Sequence, residues 1–191
     1  MEGVILMNWT IPGTVLTAPR DDAGHIAEQF QAMFYGGGIV LSQVSAITGL
    51  ESYIIQNWVK RGFLSPPEKK KYTLRQLCRI INIHMLKSAL PMERICGLLA
   101  YINGQLDSEQ DDTIDDSQLY FAFVRLAARV DHLIDDDPTQ REQTLEDSLR
   151  SYAEPVPGAK ERVKKVLQIM LTAWAAAQVR RAAENMVQEL K

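Results

Sequence analysis

Residues 48–73, TGLESYIIQNWVKRGFLSPPEKKKYT, change character three times. They pass from a Gly turn into an amphipathic segment, then through a Pro pair to three consecutive lysines. In the amphipathic segment Ile55, Trp58 and Val59 recur at helical spacing, which predicts a helix over 52–61 with these three side chains inward. Ser52, Tyr53, Gln56, Asn57 and Lys60 are left on the outer face. Gly62 follows where a helix stop prefers a left-handed residue. Upstream, LSQVSAIT (41–48) sets Leu41, Val44 and Ile47, or Ser45, at helical spacing and breaks at Gly49. Helix, Gly turn, helix is the helix-turn-helix arrangement, whose second helix enters the major groove while the first braces it.

The outer face suits that task. Amides such as those of Gln56 and Asn57 can pair with adenine N6 and N7. Lys60, Arg61, Lys69, Lys70 and Lys71, with Tyr72 beside them, would fall near phosphates and add affinity without sequence information. FLS and KYT read as two short strands around the loop PPEKK. Thr73 with Gln76 three residues later forms a capping box, opening a third helix to about Ser88 with Leu77, Ile80 or Ile81, and His84 inward. A fourth starts near Pro91, buries Ile95, Leu98, Leu99 and Ile102, and closes at Asn103-Gly104.

These residues resemble the winged head of the mercury-resistance-regulator (MerR) family. Thr48-Gly49 matches that family's turn after the first helix. Ile55-Gln56-Asn57-Trp58 stands at the Ile-Arg-Tyr-Tyr of its recognition helix, and Gly62-Phe63-Leu64 at the Gly-Leu-Leu that starts the wing. Tyr72-Thr73 matches its Tyr-Ser, and Pro91-Met92-Glu93-Arg94-Ile95 its Ser-Leu-Glu-Glu-Ile. Gln56 and Asn57 thus replace an Arg-Tyr pair that grips DNA, the wing loop is shorter, and no cysteine cluster resembles the family's metal loop. As a whole the chain is similar to a group of uncharacterised bacterial proteins with such a head and an acidic helical extension. The resemblance implies a mainly α winged helix-turn-helix domain over 39–104, binding double-stranded DNA as a transcriptional regulator.

Around that head, 1–38 reads as an extension with one helix over 21–35, capped by Asp21 or Asp22 and carrying Ile26, Phe30, Met33 and Phe34 inward. Gly36-Gly37-Gly38 ends it, and no Gly-Lys-Ser/Thr follows to make a phosphate loop. Residues 105–154 form an acidic extension with helices over 118–134 and 141–152. EPVPG (154–158) is a stiff linker, and 155–191 carries a long helix. Its stripe runs through Val163, Leu167, Met170, Trp174 and Ala177, then shifts to Val179, Ala183, Met186 and Leu190. About 30 residues at 1.5 Å each span about 45 Å, so this helix needs a partner, within the chain or across a homodimer.

Residues 41–104 hold nine Lys and Arg against three Glu, a net +6 that leaves −9 for the remainder of a chain totalling −3. A basic head on an acidic body gives a polyanion one place to dock. The start, MEGVILMNWTIPG, lacks the pattern of a secretory leader. The most apolar window, 166–179, has 14 residues, short of the about 20 a membrane span needs. Cys78 and Cys96 lie in apolar helical patterns as reduced thiols, so a cytoplasmic protein is expected.

Asp111-Asp112-Thr113-Ile114-Asp115-Asp116 has the DDxxD spacing by which polyprenyl synthases hold magnesium and diphosphate. The large helical core and the basic diphosphate partner are missing, and acidic residues ahead of an apolar helix stabilise its positive end. Asp131 and 135–137 form a second acidic set. His84 reads as a core histidine, and His25 and His132 lack partners at ligand spacing. No catalytic constellation, metal or cofactor is expected. An effector pocket would fall among the aromatic residues of 119–134 with Trp174, although helix packing explains these as well. The alternative to DNA binding is a protein-interaction module that reuses the winged head.

Overall fold

The computed structural model describes residues 8–103, 113–130 and 138–190. The chain is mainly helical: α1 (Ile26–Ala32), α2 (Leu41–Thr48), α3 (Ser52–Lys60), α4 (Leu74–Lys87), α5 (Met92–Asn103), α6 (Asp116–Arg129), α7 (Pro138–Ser148) and α8 (Ala159–Gln188). Two small antiparallel pairs join them, β1 (Asn8–Thr10) with β2 (Thr17–Pro19) and β3 (Ile39–Val40) with β4 (Lys71–Tyr72). No helix of the described residues is long and apolar enough to cross a membrane.

α4 is the spine. Its capping box forms as the sequence predicts: Gln76 N–H donates to Thr73 Oγ1 at 3.2 Å, and Thr73 N–H to Gln76 Oε1 at 2.9 Å. From Gln76 to Leu86 every residue except His84 is buried, because α2, α5, α6 and α8 pack around this one helix. α6 lies along α4 and in turn supports α7 and α8. Buried residues from Ile11 to Ala173 form one cluster, so the basic head shares its core with the segments on either side.

The N-terminal hairpin had no sequence-based expectation. It is pinned from two sides, by Val15 N–H donating to Ile47 O at 3.0 Å and Tyr120 Oη to Pro12 O at 2.9 Å, and closed within itself by Thr14 Oγ1 donating to Ile11 O at 3.0 Å. Gly13 is at φ +73°, and a Cβ there would stand 2.7 Å from Ile81 Cγ2. Only glycine fits both the angle and the approach.

Several expectations are corrected. The helix over 21–35 is only Ile26–Ala32, preceded by a single tight turn at Arg20–Asp22. Neither Asp21 nor Asp22 caps it. Asp22 instead holds His25 Nδ1 at 2.5 Å and Gln29 Nε2 at 3.1 Å, and Met33 is exposed. Among the described residues the helix expected over 118–134 begins at Asp116 and ends at Arg129, and the one over 141–152 runs Pro138–Ser148. The aromatic residues of α6 pack into the core, and Phe121 also edges a small cavity. Tyr120 and Phe121 pack with Phe30, and Phe123 meets Trp174 edge-on at 6.1 Å.

Strand Phe63–Ser65 does not form. Pro66 and Pro67 have no N–H to give a ladder, and the nearby carbonyls are taken by α4. Arg79 Nε donates to Phe63 O at 3.1 Å, and Gln76 Nε2 lies 3.0 Å from Ser65 O and 3.1 Å from Pro66 O. Lys71–Tyr72 pairs with Ile39–Val40 instead. With these carbonyls spent, Phe63–Ser65 joins no ladder, although Glu68 and Lys71 still bridge antiparallel across their turn.

Candidate nucleic-acid interface

α3 presents two faces. Ile55 and Trp58 are buried, 0% and 2% exposed, and Val59 is half-buried. Burying side chains of this size stabilises a fold by roughly 1.5–3 kcal/mol each, which fixes the helix's rotation. Tyr53, Gln56, Asn57 and Lys60 are therefore turned to solvent, followed by Arg61. Ser52 is half-buried, its Oγ 3.0 Å from Ser45 Oγ across the turn. Gly49 at φ +72° makes that turn and donates to Ser45 O at 2.8 Å. The Arg61 guanidinium rests 4.7 Å from the centre of the Phe63 ring.

The three lysines sit on a tight turn rather than in a five-residue loop. Lys71 N–H donates to Glu68 O at 2.8 Å, and the two central residues, Lys69 and Lys70, have φ +47° and +64°. Two consecutive left-handed residues are the type I′ signature, which favours Asn-Gly. For a residue with a long side chain the left-handed conformation costs roughly 1–2 kcal/mol. The turn thus exposes two cations side by side at a position where uncharged residues would fit with less strain. Lys71 reaches back, its Nζ donating to Gly36 O at 3.2 Å.

Tyr72 is the least exposed of the expected contact residues. It is 3% exposed, packed in the core, and burial raises its hydroxyl pKa. As the second residue of β4 it alternates in direction with Lys71, and it lines the same groove as Gln56 and Lys70.

Gln56 of α3 and Lys70 of the lysine turn line one open groove of about 530 Å³, together with Ser42 at the start of α2. Ser42 was not foreseen. It is exposed in the first turn of α2, the end of a helix that attracts anions, and its only sequence signal is its place just inside a helix start. The groove brings an amide, a cation and a helix N-terminus to one surface.

Behind this surface lies a buried ion pair. Arg79, which holds Phe63 O between α3 and the lysine turn, also donates from Nη1 to Asp116 Oδ2 at 3.2 Å. Asp116 is 1% exposed. Burial raises its pKa against the opposing pull of Arg79 and Arg75. Asn82 Nδ2 donates to the Asp116 carbonyl at 3.4 Å. The acidic stretch therefore divides. Asp115 caps α6, accepting from Ser117 N–H at 2.7 Å and Gln118 N–H at 3.3 Å, whereas Asp116 ties α6 to α4. Asp111, Asp112, Asp131, His132 and 135–137 lie outside the described residues. Among the described residues no group of three His, Cys, Asp or Glu side chains could hold a metal ion. Cys78 is buried and Cys96 half-buried, both free thiols.

Residues 39–123 match the model of a domain of unknown function (DUF1836). The chain is 28% identical over 113 residues to the uncharacterized protein YkrK of Bacillus subtilis (strain 168), an alignment covering 57% of this chain and 48% of that protein. It thus spans about half the length of that curated relative. No solved structure matches the chain. The family match begins at β3 and ends inside α6, so it takes in α2, α3, the lysine turn, and both Arg79 and Asp116.

Proposed function

We propose that this protein binds double-stranded DNA through a MerR-like winged helix-turn-helix head and acts as a transcriptional regulator. The observation that carries the reading is the shared groove of Gln56 and Lys70, with the strained Lys69-Lys70 turn at its edge. Backbone strain gathers at functional sites, and here the strained residues are cations on a head of net +6. In this reading Tyr53, Gln56, Asn57 and Lys60 face base edges. Lys69, Lys70 and the start of α2 hold phosphates, and Ser52 fixes the angle between the two helices.

The acting form is a homodimer joined by the second half of α8. Val179 and Met186, exposed at 58% and 68%, and Leu190 just past the helix end, exposed at 85%, form a second stripe shifted from the buried one of the first half. Two heads on one duplex face should set their α3 helices about 34 Å apart, one helical turn of DNA.

Selection of bound duplexes from a random pool tests the proposal. The full chain should enrich a site at about 50 mM salt and lose it steeply as salt rises. Gln56→Ala should relax the preference at one or two positions, and Lys70→Ala should weaken all sequences alike. No enrichment at low salt, or binding untouched by Lys70→Ala, would overturn it.

A further inference from the structure

Where α8 leaves the body, Trp174, Gln178 and Arg181 face His84 and Ser88 of α4 and the turn of the N-terminal hairpin across a pocket of about 130 Å³. At about 30 Å³ per water this has room for about four waters, or one small organic ion. His84 is the one residue between Gln76 and Leu86 that is not buried, and neither ring nitrogen has a partner among the described residues. Burial, with the cations of Lys87 and Arg181 nearby, holds its imidazole pKa below the ordinary value. Neither cation is paired with a carboxylate among the described residues; Lys87 lies over the Trp58 ring at 5.8 Å.

Positive charge at this end of α4 has an ordinary explanation up to a point. His84 and Lys87 stand in the last turn of α4, and a helix's carbonyl end carries about −0.5 of a charge. Ser88 Oγ already donates to the carbonyl of Met85 at 3.0 Å. Arg181 comes from another helix and is not needed for that purpose. It adds a planar fork of donors to a pocket that already holds an unpaired imidazole and an aromatic face, and such a fork matches a carboxylate.

We propose that the pocket binds a small carboxylate. Its oxygens take N–H donors from Arg181 and His84, and its carbon chain lies against Trp174. Such a ligand would join α4, the hairpin and α8 at the point where α8 begins to run free. The site stands whatever polyanion the head binds.

Propionate is the probe, with chloride at equal ionic strength as the control, on the full chain. Proton NMR of the imidazole C–H of His84 and the indole N–H of Trp174 should show shifts that saturate with propionate and not with chloride. His84→Gln and Trp174→Phe identify the two signals. Arg181→Gln, at an exposed position, should keep the folded spectrum and weaken propionate by at least about tenfold, the effect of one lost charge-assisted hydrogen bond. Shifts equal to those of chloride, or full propionate affinity in Arg181→Gln, would overturn the assignment.

Discussion

α4 and α8 are both uninterrupted helices with a clear apolar stripe, and they end up in opposite circumstances. α4 buries ten of its 14 residues, α8 eight of 30 and none beyond Ala173. α4 starts from a Thr73 capping box, whereas α8 starts from Gly158 with no side-chain cap. The difference lies in the neighbours. α4 has helices around it, and α8 has them only along its first half. An apolar stripe states that a helix needs a partner; it does not say where the partner comes from.

The comparison breaks most visibly at Asp116. Asp116→Ala strands Arg79 in the core, and removing one member of a buried ion pair costs about 3–5 kcal/mol. Urea unfolding should show that loss in full. The segment between α3 and α4 should loosen as well, because Arg79 also holds Phe63 O, so amide exchange at Phe63 and Leu64 should speed up before global unfolding. Next in size is Thr73→Ala, which removes the cap of α4 at a cost of about 1 kcal/mol. Replacing Gly158, which opens α8 without a side-chain bond, tests only its φ of +82°.

What the sequence discloses follows the same division. The bounds of α2 and α3, the Thr73 cap and the length of α8 are local matters of spacing and cap chemistry, and they are legible. The pairing of β4 with β3 joins residues about 30 apart. It depends on α4 side chains claiming the carbonyls of Phe63, Ser65 and Pro66, which no window of sequence displays. The outward set of α3 was readable because Ile55 and Trp58 fix its rotation. The burial of Tyr72 was not readable, because a two-residue strand gives too little alternation to tell its faces apart. Asp115 and Asp116 are identical neighbours in sequence; only the position of Arg79 distinguishes the cap from the buried anion.

Acid should separate the two helices more gently. On the α8 side, Glu146 accepts from Lys160 Nζ at 2.5 Å and also bonds Lys164, which holds its pKa below the ordinary carboxylate value. A depressed acid contributes stability above its unfolded pKa and loses it as pH falls through the folded value. Lys164 is buried, which opposes its charge, yet its bonds to Glu142, Glu146 and Glu161 raise its pKa. That contribution is complete at neutral pH and fades only in strong alkali. Asp116 has the opposite sign to Glu146: burial raises its pKa, so acidification relieves the core of a charge. Half-exposed pairs like that of Glu146 are worth at most about 1 kcal/mol. Amide exchange below pH 4.5 should therefore free α7 from α8 while α4 stays protected. Equal loss in both would mean that the α7–α8 ion pairs do not act locally.

The smallest expected change in stability belongs to Met186→Glu, and it sharpens the comparison most. Met186 is 68% exposed, so a monomer loses no buried contact, and surface changes of this kind stay within about 0.5 kcal/mol. Urea unfolding at high dilution should be unaltered. Self-association should not be. Val179, Ala183, Met186 and Leu190 follow spacings of four and three, the repeat by which two helices pack along a seam. A carboxylate in the middle of that seam would lose its water with no cation facing it. Sedimentation equilibrium should find a dimer in the parent chain and a monomer in Met186→Glu, with the same far-ultraviolet spectrum. If the parent is monomeric at every concentration, the second half of α8 is not a self-pairing surface. The contrast with α4 would then rest on the absence of burial alone.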